Sequence, residues 1–109
     1  MSKTYRIILT PEAQSDIREI VLYIAHVLAA PQAALKLQED LRKEICSLAD
    51  MPKRIKTVDE QPWKDFGIRR TRVKNYDIYF LADDADLSVR VTAVIYVGRD
   101  QEKQMTERI

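Results

Sequence analysis

The chain has 109 residues and a net charge of +1, and charged residues make up 32% of it. This length is typical of one domain, so we expect a single core spanning residues 1–109. Glycine (2) and proline (4) are scarce, which argues against disordered or low-complexity segments. The nearly neutral charge also sets the chain apart from strongly basic nucleic-acid-binding proteins.

The residue inventory excludes several classes of protein. Cys46 is the one cysteine and His26 the one histidine, so we expect neither an internal disulfide nor a metal site. No phosphate loop, dinucleotide fingerprint or serine-hydrolase motif occurs, and no cofactor is predicted. No apolar run reaches the ~20 residues of a membrane helix, and no signal segment precedes Leu9. We therefore expect a cytoplasmic protein that does not enter a membrane.

The first half of the chain predicts a strand and two helices. Tyr5–Leu9 is an apolar run, and Thr10, followed by proline and glutamate, is a helix start signal. Apolar side chains then recur every three or four residues, which predicts one helix to about Leu28 and another from Pro31 to about Met51. Because the connection is short, the helices should form an antiparallel hairpin that shares one partner surface.

The second half predicts strands. Lys53–Phe66 is polar and irregular and is interpreted as one short strand and a loop. Ile68–Val73 and Tyr76–Ala82 are β-rich runs separated by a two-residue turn, which indicates a hairpin. Val89–Val97 is apolar on both faces and should be a central strand. Its alternation places these side chains on one face: Val89, Val91, Ala93, Ile95 and Val97.

The order of elements defines the expected fold class. Asp100 is placed to cap a short final helix that runs through Arg108. The prediction is an α+β domain with an N-terminal strand, an antiparallel helical hairpin, a 3–4-stranded antiparallel sheet and a short C-terminal helix. No strand–helix–strand unit indicates a parallel sheet.

The basic strand is the most informative feature for function. Arg70, Arg72 and Lys74 alternate onto one face, and Arg69 adds to the local positive charge. Arginine contacts phosphate through two parallel hydrogen bonds, so such a row can stabilise charge during phosphodiester cleavage. Arg99, at the end of the last strand, is placed to turn a further charge toward this face. The alternative is that these side chains only cover the sheet or pair with acidic neighbours.

Several strings, in their order along nearly the whole chain, resemble the RelE/ParE toxin family of bacterial type II toxin–antitoxin systems. They are Tyr5-Arg-Ile-Ile-Leu-Thr-Pro-Glu-Ala13, Asp16-Ile-Arg-Glu-Ile20, Gly67-Ile-Arg69, Val73-Lys-Asn-Tyr76 and Tyr96-Val-Gly-Arg-Asp100. The resemblance implies an α+β toxin held inactive by a cognate antitoxin, a segment of which wraps over the toxin surface. An apolar groove on the helical hairpin is expected, and a homodimer is an open alternative.

The resemblance leaves two mechanisms open. RelE-like members cleave messenger RNA in the ribosomal A site, without metal, through a basic cluster. ParE-like members share the fold, lack that cluster and inhibit DNA gyrase. If the chain is a ribonuclease, the resemblance assigns catalytic roles to Arg70, Arg72 and Arg99 and RNA contacts to Arg69 and Lys74.

Two positions depart from the RelE-like pattern. Asp77 stands where those enzymes carry another arginine, and Met105 stands where they carry a C-terminal tyrosine. Asp77 adds negative charge where a phosphate must bind, and Met105 neither exchanges protons nor stacks an aromatic face on a base. We therefore favour the gyrase-directed mechanism narrowly, with the ribonuclease as the alternative and a non-toxic binding module of the same fold as a third hypothesis.

Overall fold

The computed structural model describes residues 4–98. Its first half contains strand β1 (Arg6–Leu9), helix α1 (Pro11–Leu22), a π-helical turn (Tyr23–Val27) and helix α2 (Pro31–Ser47). The Thr10 hydroxyl accepts the Ala13 backbone N–H at 3.1 Å, so the predicted start signal of α1 is confirmed. The antiparallel hairpin is also present.

The first helix differs from its prediction at its C-terminal end. The α-helix stops at Leu22, and the chain continues in the π-helical turn. Leu28 donates its backbone N–H to the Tyr23 carbonyl at 3.1 Å, which is the wider hydrogen-bonding pattern of a π-helix. Ala29 then adopts a positive φ of 50°, which ends the helical path before α2.

The second half forms strands β2 (Arg69–Val73), β3 (Tyr76–Asp83) and β4 (Ser88–Tyr96). The sheet order is β1-β4-β3-β2, and β2, β3 and β4 pair antiparallel. The predicted α+β fold class is therefore confirmed. The predicted N-terminal strand is also present, as the edge strand β1, and it pairs parallel to β4. Our expectation of no parallel pair was wrong there, since local patterns carry no information about which distant strands become neighbours.

One residue inserted into β4 changes which side chains share a face. Relative to β3, β4 gains Thr92 between Val91 and Ala93, which is a β-bulge. Val91 consequently packs with the helices, whereas Ala93 and Ile95 belong to the hydrophobic cluster on the opposite face. The prediction of one common face for these residues was wrong, because alternation inverts across a bulge.

The sheet separates two hydrophobic clusters. The larger one lies against the helical hairpin and contains Ala13, Leu37, Leu41, Ile45, Leu48, Ile78, Phe80, Val89, Val91 and Val94. The smaller one lies on the other face and contains Val58, Trp63, Ile68, Tyr79, Ala93 and Ile95.

The loop before β2 covers the smaller cluster. It begins with a 3-10 turn (Pro52–Arg54), and its only strand-like contact is a single bridge between Thr57 and Arg69. The strand predicted within Lys53–Phe66 is therefore wrong. The loop is held instead by burial of Trp63, which is 7% exposed, and by isolated backbone hydrogen bonds such as that from Val58 to the Ile68 carbonyl at 2.9 Å.

Some expectations fall outside residues 4–98. The predicted final helix from Asp100, the proposed role of Arg99 and the Met105 position all lie beyond the described part of the chain. Within residues 4–98, no helix combines the length and apolar character needed to cross a membrane.

Candidate functional site

Alternation along β2 places two of the predicted cationic side chains together. Arg70 lies opposite Tyr79 and Arg72 lies opposite Asp77 in the register with β3. These four residues form one patch on the sheet face away from the helices, which we call the charged strip. The sequence prediction that Arg70 and Arg72 share a face is therefore confirmed.

The strongest contact of the charged strip joins Arg72 to Asp77. The arginine donates from Nε to Oδ1 at 2.7 Å and from its terminal nitrogen to Oδ2 at 3.2 Å. Asp77 is fully buried, whereas the Arg72 side chain is 56% exposed. The hydrogen bond to the carboxylate raises the pKa of Arg72. Arginine recognises phosphate through the same kind of paired donors. In this chain those donors are already bound to an internal carboxylate.

Arg70 is engaged by a different pair of neighbours. Interaction with the Tyr79 side chain is the largest cause that raises the pKa of Arg70. Its guanidinium also lies 3.7 Å from the Glu60 carboxylate, and its side chain is 35% exposed. Burial raises the pKa of Tyr79 above its ordinary value of 10.0. Tyr79 therefore gives up its proton less readily than an ordinary tyrosine, which disfavours a role as general base.

The other two predicted cations point away from the charged strip. Arg69 donates to the Ile55 carbonyl at 2.5 Å. Lys74 adopts a positive φ of 53° in the β2–β3 turn, and its ammonium lies 3.6 Å from the Asp40 carboxylate on α2. Our expectation that Lys74 continues the row of Arg70 and Arg72 was wrong, because the turn conformation directs it to the helix side.

Asp40 is the carboxylate that holds Lys74 on the helix side. The pKa of Asp40 is lowered, chiefly by its hydrogen bond from Lys36 and also by Lys74.

Among residues 4–98, no group of three or more His, Cys, Asp or Glu side chains is arranged to hold a metal ion. The charged strip can offer a ligand hydrogen bonds from two arginines. Both already have internal partners, Asp77 for Arg72 and Glu60 for Arg70.

A second feature is an open groove between the helical hairpin and β4. Its volume is about 610 Å³, within the usual range of ligand-sized clefts. Leu28 is 55% exposed and Tyr23 is 53% exposed at this groove. We call it the apolar groove, and it is lined by Asp16, Glu19, Ile20, Tyr23, Leu28, Tyr76, Val94, Ile95 and Tyr96.

The apolar groove follows the part of β4 that β1 leaves uncovered. Pairing with β1 ends at Val91, and no other strand among residues 4–98 lies on that side of β4. The Asp16 carboxylate accepts the Val94 backbone N–H at 2.9 Å. A side chain thus occupies the position of a neighbouring strand's carbonyl. Sequence reasoning expected a groove on the hairpin, but missed the β4 edge because β1 pairing could not be inferred.

Comparison with known proteins agrees with this architecture. A chain of the chromosomal ParDE toxin–antitoxin system from P. aeruginosa superposes with a TM-score of 0.70 at 18% identity, over 86% of this chain and 97% of that one. The RelBE2 toxin–antitoxin complex from Mycobacterium tuberculosis gives 0.60 at 17% identity, over 86% and 92%. A doubly substituted E. coli RelE toxin in the free state gives 0.61 at 14% identity, over 96% and 93%.

These likenesses define the fold as that of the small RelE/ParE-type toxins. No curated protein matches the chain in sequence. The sequence model of the ParE toxin of type II toxin–antitoxin systems, parDE, matches residues 7–101. The chain therefore belongs to the ParE toxin family, and the predicted RelE/ParE resemblance is confirmed.

Proposed function

We propose that the chain arrests growth by binding DNA gyrase rather than by cutting messenger RNA. The observation that carries the proposal is the internal pairing of the cations on and beside the charged strip. Arg72 is held by Asp77, Arg70 contacts Tyr79 and Glu60, and the two remaining cations point elsewhere.

This pairing weakens the case for ribonuclease chemistry. Arginines stabilise developing charge when their donors are aimed at the reacting phosphate. Arg72 instead directs two donors at Asp77, and burial raises the pKa of Tyr79 further above the physiological range. Arg69 and Lys74, the proposed RNA contacts, engage Ile55 and Asp40. The chain also belongs to the ParE toxin family, and the resemblance described above associates ParE-like members with gyrase inhibition.

The RelE-like ribonuclease is the second candidate. Its support is that Arg70 and Arg72 share one face and remain 35% and 56% exposed. A bound ribosome can orient the RNA and so supply much of the positioning that cleavage requires. Under this alternative Arg70, Arg72 and Arg99 would contact the reacting phosphate.

Induced expression without antitoxin separates the candidates. We expect growth arrest with relaxed plasmid DNA and no codon-level cuts in primer extension on cellular transcripts. Cuts that disappear in Arg70→Ala would support the ribonuclease instead. Arg70 is chosen over Arg72 because its partners are an exposed carboxylate and a hydroxyl, so its removal leaves no buried charge without a cation. Normal growth under strong expression would support the third hypothesis, a non-toxic binding module.

Both candidate targets are cytoplasmic, so we propose that location for the chain.

We also propose that a cognate antitoxin covers the apolar groove with an extended segment. An added strand would pair with the part of β4 that β1 leaves uncovered, where its carbonyl would replace the Asp16 carboxylate on the Val94 N–H. Alternate apolar side chains of that segment would contact Tyr23 and Leu28. Its basic side chains would face Asp16 and Glu19, which place negative charge at the groove. The antitoxin should be encoded in the adjacent reading frame.

The docking proposal is tested by measuring affinity for that antitoxin. Tyr23→Asp should weaken binding by about 30-fold, because an exposed aromatic anchor is replaced by a charge that must be desolvated. Phe66→Asp is the matched control, since Phe66 is 58% exposed but lies in the loop before β2. Equal losses for both variants would contradict docking at the groove.

A further inference from the structure

We propose that Asp77 is a specificity-determining residue that keeps the charged strip from binding the phosphates of single-stranded RNA. The proposal rests on the proposed function, in which the chain does not act on RNA. It goes further by assigning the exclusion to one carboxylate. Asp77 takes up the arginine donors that a phosphate would otherwise use.

The geometry of the Arg72–Asp77 contact supports this assignment. Arg72 donates from Nε and from a terminal nitrogen to the two separate oxygens of Asp77, at 2.7 Å and 3.2 Å. This parallel pair of hydrogen bonds is the arrangement in which arginine recognises phosphate as well as carboxylate. The internal carboxylate and an incoming phosphate therefore compete for the same donors.

The charge balance of the patch also supports this assignment. Arg70 and Arg72 are its two cations, and they face two carboxylates, Asp77 and Glu60. Backbone phosphates contribute most of the affinity of proteins for nucleic acid, so a balanced patch gains little from them. Removal of one negative charge leaves a net cationic patch on an accessible face.

The two carboxylates differ in how easily they leave their arginines. Glu60 is 52% exposed on its side chain and lies 3.7 Å from Arg70, so a phosphate can displace it into water. Asp77 is fully buried on β3, opposite Ile95 of β4. A buried carboxylate that loses its cation cannot turn to solvent, which makes displacement unfavourable. Asp77 therefore has the dominant effect and Glu60 a small one.

The decisive variant is Asp77→Asn, which removes the charge and keeps the side-chain shape. We would measure binding of a labelled single-stranded oligoribonucleotide by fluorescence anisotropy at several salt concentrations. Affinity should rise about tenfold over the wild type, as expected for one unscreened charge near a phosphate. The slope of log affinity against log salt should steepen by about 0.7, the value for one added phosphate contact on a single strand.

The double variant Asp77→Asn/Arg72→Gln is the matched control, because it has the net charge of the wild type. It should bind RNA as weakly as the wild type if the released Arg72 causes the gain. Glu60→Gln should raise affinity no more than about twofold, since an exposed carboxylate is readily displaced. The proposal is overturned if Asp77→Asn binds like the wild type, or if the double variant binds as tightly as Asp77→Asn.

A measurement on the wild-type chain covers the case in which Asp77→Asn does not fold. The Arg72 Nε–H signal in a ¹⁵N NMR spectrum should stay in place as the same oligoribonucleotide is added. A saturable shift of that signal would show that Asp77 does not protect the arginine. None of these readouts involves gyrase, so failure of the proposed target and failure of the Asp77 assignment remain distinguishable.

Discussion

The charged strip and the apolar groove lie on the same small sheet but use their side chains in opposite ways. In the charged strip, Arg72 and Asp77 satisfy each other, and the carboxylate is fully buried. At the groove, Tyr23 and Leu28 are about half exposed, and Asp16 stands in for a missing strand. The comparison indicates that polar character alone is a weak guide to a binding surface. Unfilled space and an uncovered strand edge are the features on which the proposed antitoxin site rests.

The largest expected effect tests whether the charged strip is part of the folded framework. Arg72→Ala should lower the free energy of unfolding by about 3 kcal/mol, because it leaves the buried Asp77 carboxylate without its arginine. Urea denaturation measures this change. Asp77→Asn in the same background should recover more than half of the loss. A loss below about 1 kcal/mol for Arg72→Ala would indicate an ordinary surface ion pair instead.

A smaller effect is expected at the boundary between the fold and the groove. Asp16→Ala removes the carboxylate that accepts the Val94 N–H and should destabilise the chain by about 1.5 kcal/mol. Glu19→Ala is the matched control on the same helix and should change stability by less than about 0.5 kcal/mol. Equal values from thermal or urea unfolding would contradict the role given to Asp16.

The pH dependence of stability offers a further test of the charged strip. Burial raises the pKa of Tyr79 above 10.0, so the unfolded chain releases this proton at a lower pH than the folded chain does. The contribution of Tyr79 to the free energy of unfolding should be complete below pH 10 and should fall as the pH rises through the folded pKa.

Tyr79→Phe should lack this alkaline fall in urea denaturation curves compared between about pH 8 and about pH 10.5. The hydrogen bond to Asp84 raises the pKa of Tyr5 as well, but Tyr5 is present in both proteins and its effect cancels. Parallel curves for the wild type and Tyr79→Phe would show that the Tyr79 proton is not linked to folding.

The smallest effect is expected inside the groove. Leu28→Ser should change the free energy of unfolding by less than about 0.5 kcal/mol, because Leu28 is 55% exposed and adds little to the core. Leu41→Ala on α2 is the contrasting variant: Leu41 is 1% exposed, and its truncation should cost about 2–5 kcal/mol. A large loss for Leu28→Ser would make the groove a structural element rather than a partner surface.

Local chemistry explains which parts of the fold were predictable from the sequence. Thr10 begins α1 through its own hydroxyl, and the three- and four-residue spacing of apolar side chains gives the hairpin. Alternation along β2 correctly placed Arg70 and Arg72 on one face. Each of these features depends on residues close together in the sequence, so a single sequence contains the information.

The features that sequence reasoning missed depend on distant contacts or on backbone geometry. The bulge at Thr92 inverts the faces of β4, although nothing in the local composition marks it. Lys74 leaves the basic row because the turn gives it a positive φ. The sequence suggested that Asp77 hinders phosphate binding, but only the fold reveals that it is buried and holds Arg72.

The central claim is that the internally paired charged strip leaves the chain to act by binding gyrase. The most direct measurement adds purified wild-type chain to DNA gyrase in a plasmid supercoiling assay and, in parallel, to programmed ribosomes. The proposed gyrase mechanism predicts loss of supercoiling at near-stoichiometric chain and intact messenger RNA on the ribosomes. Unchanged supercoiling together with messenger RNA cut in the ribosomal A site would contradict it.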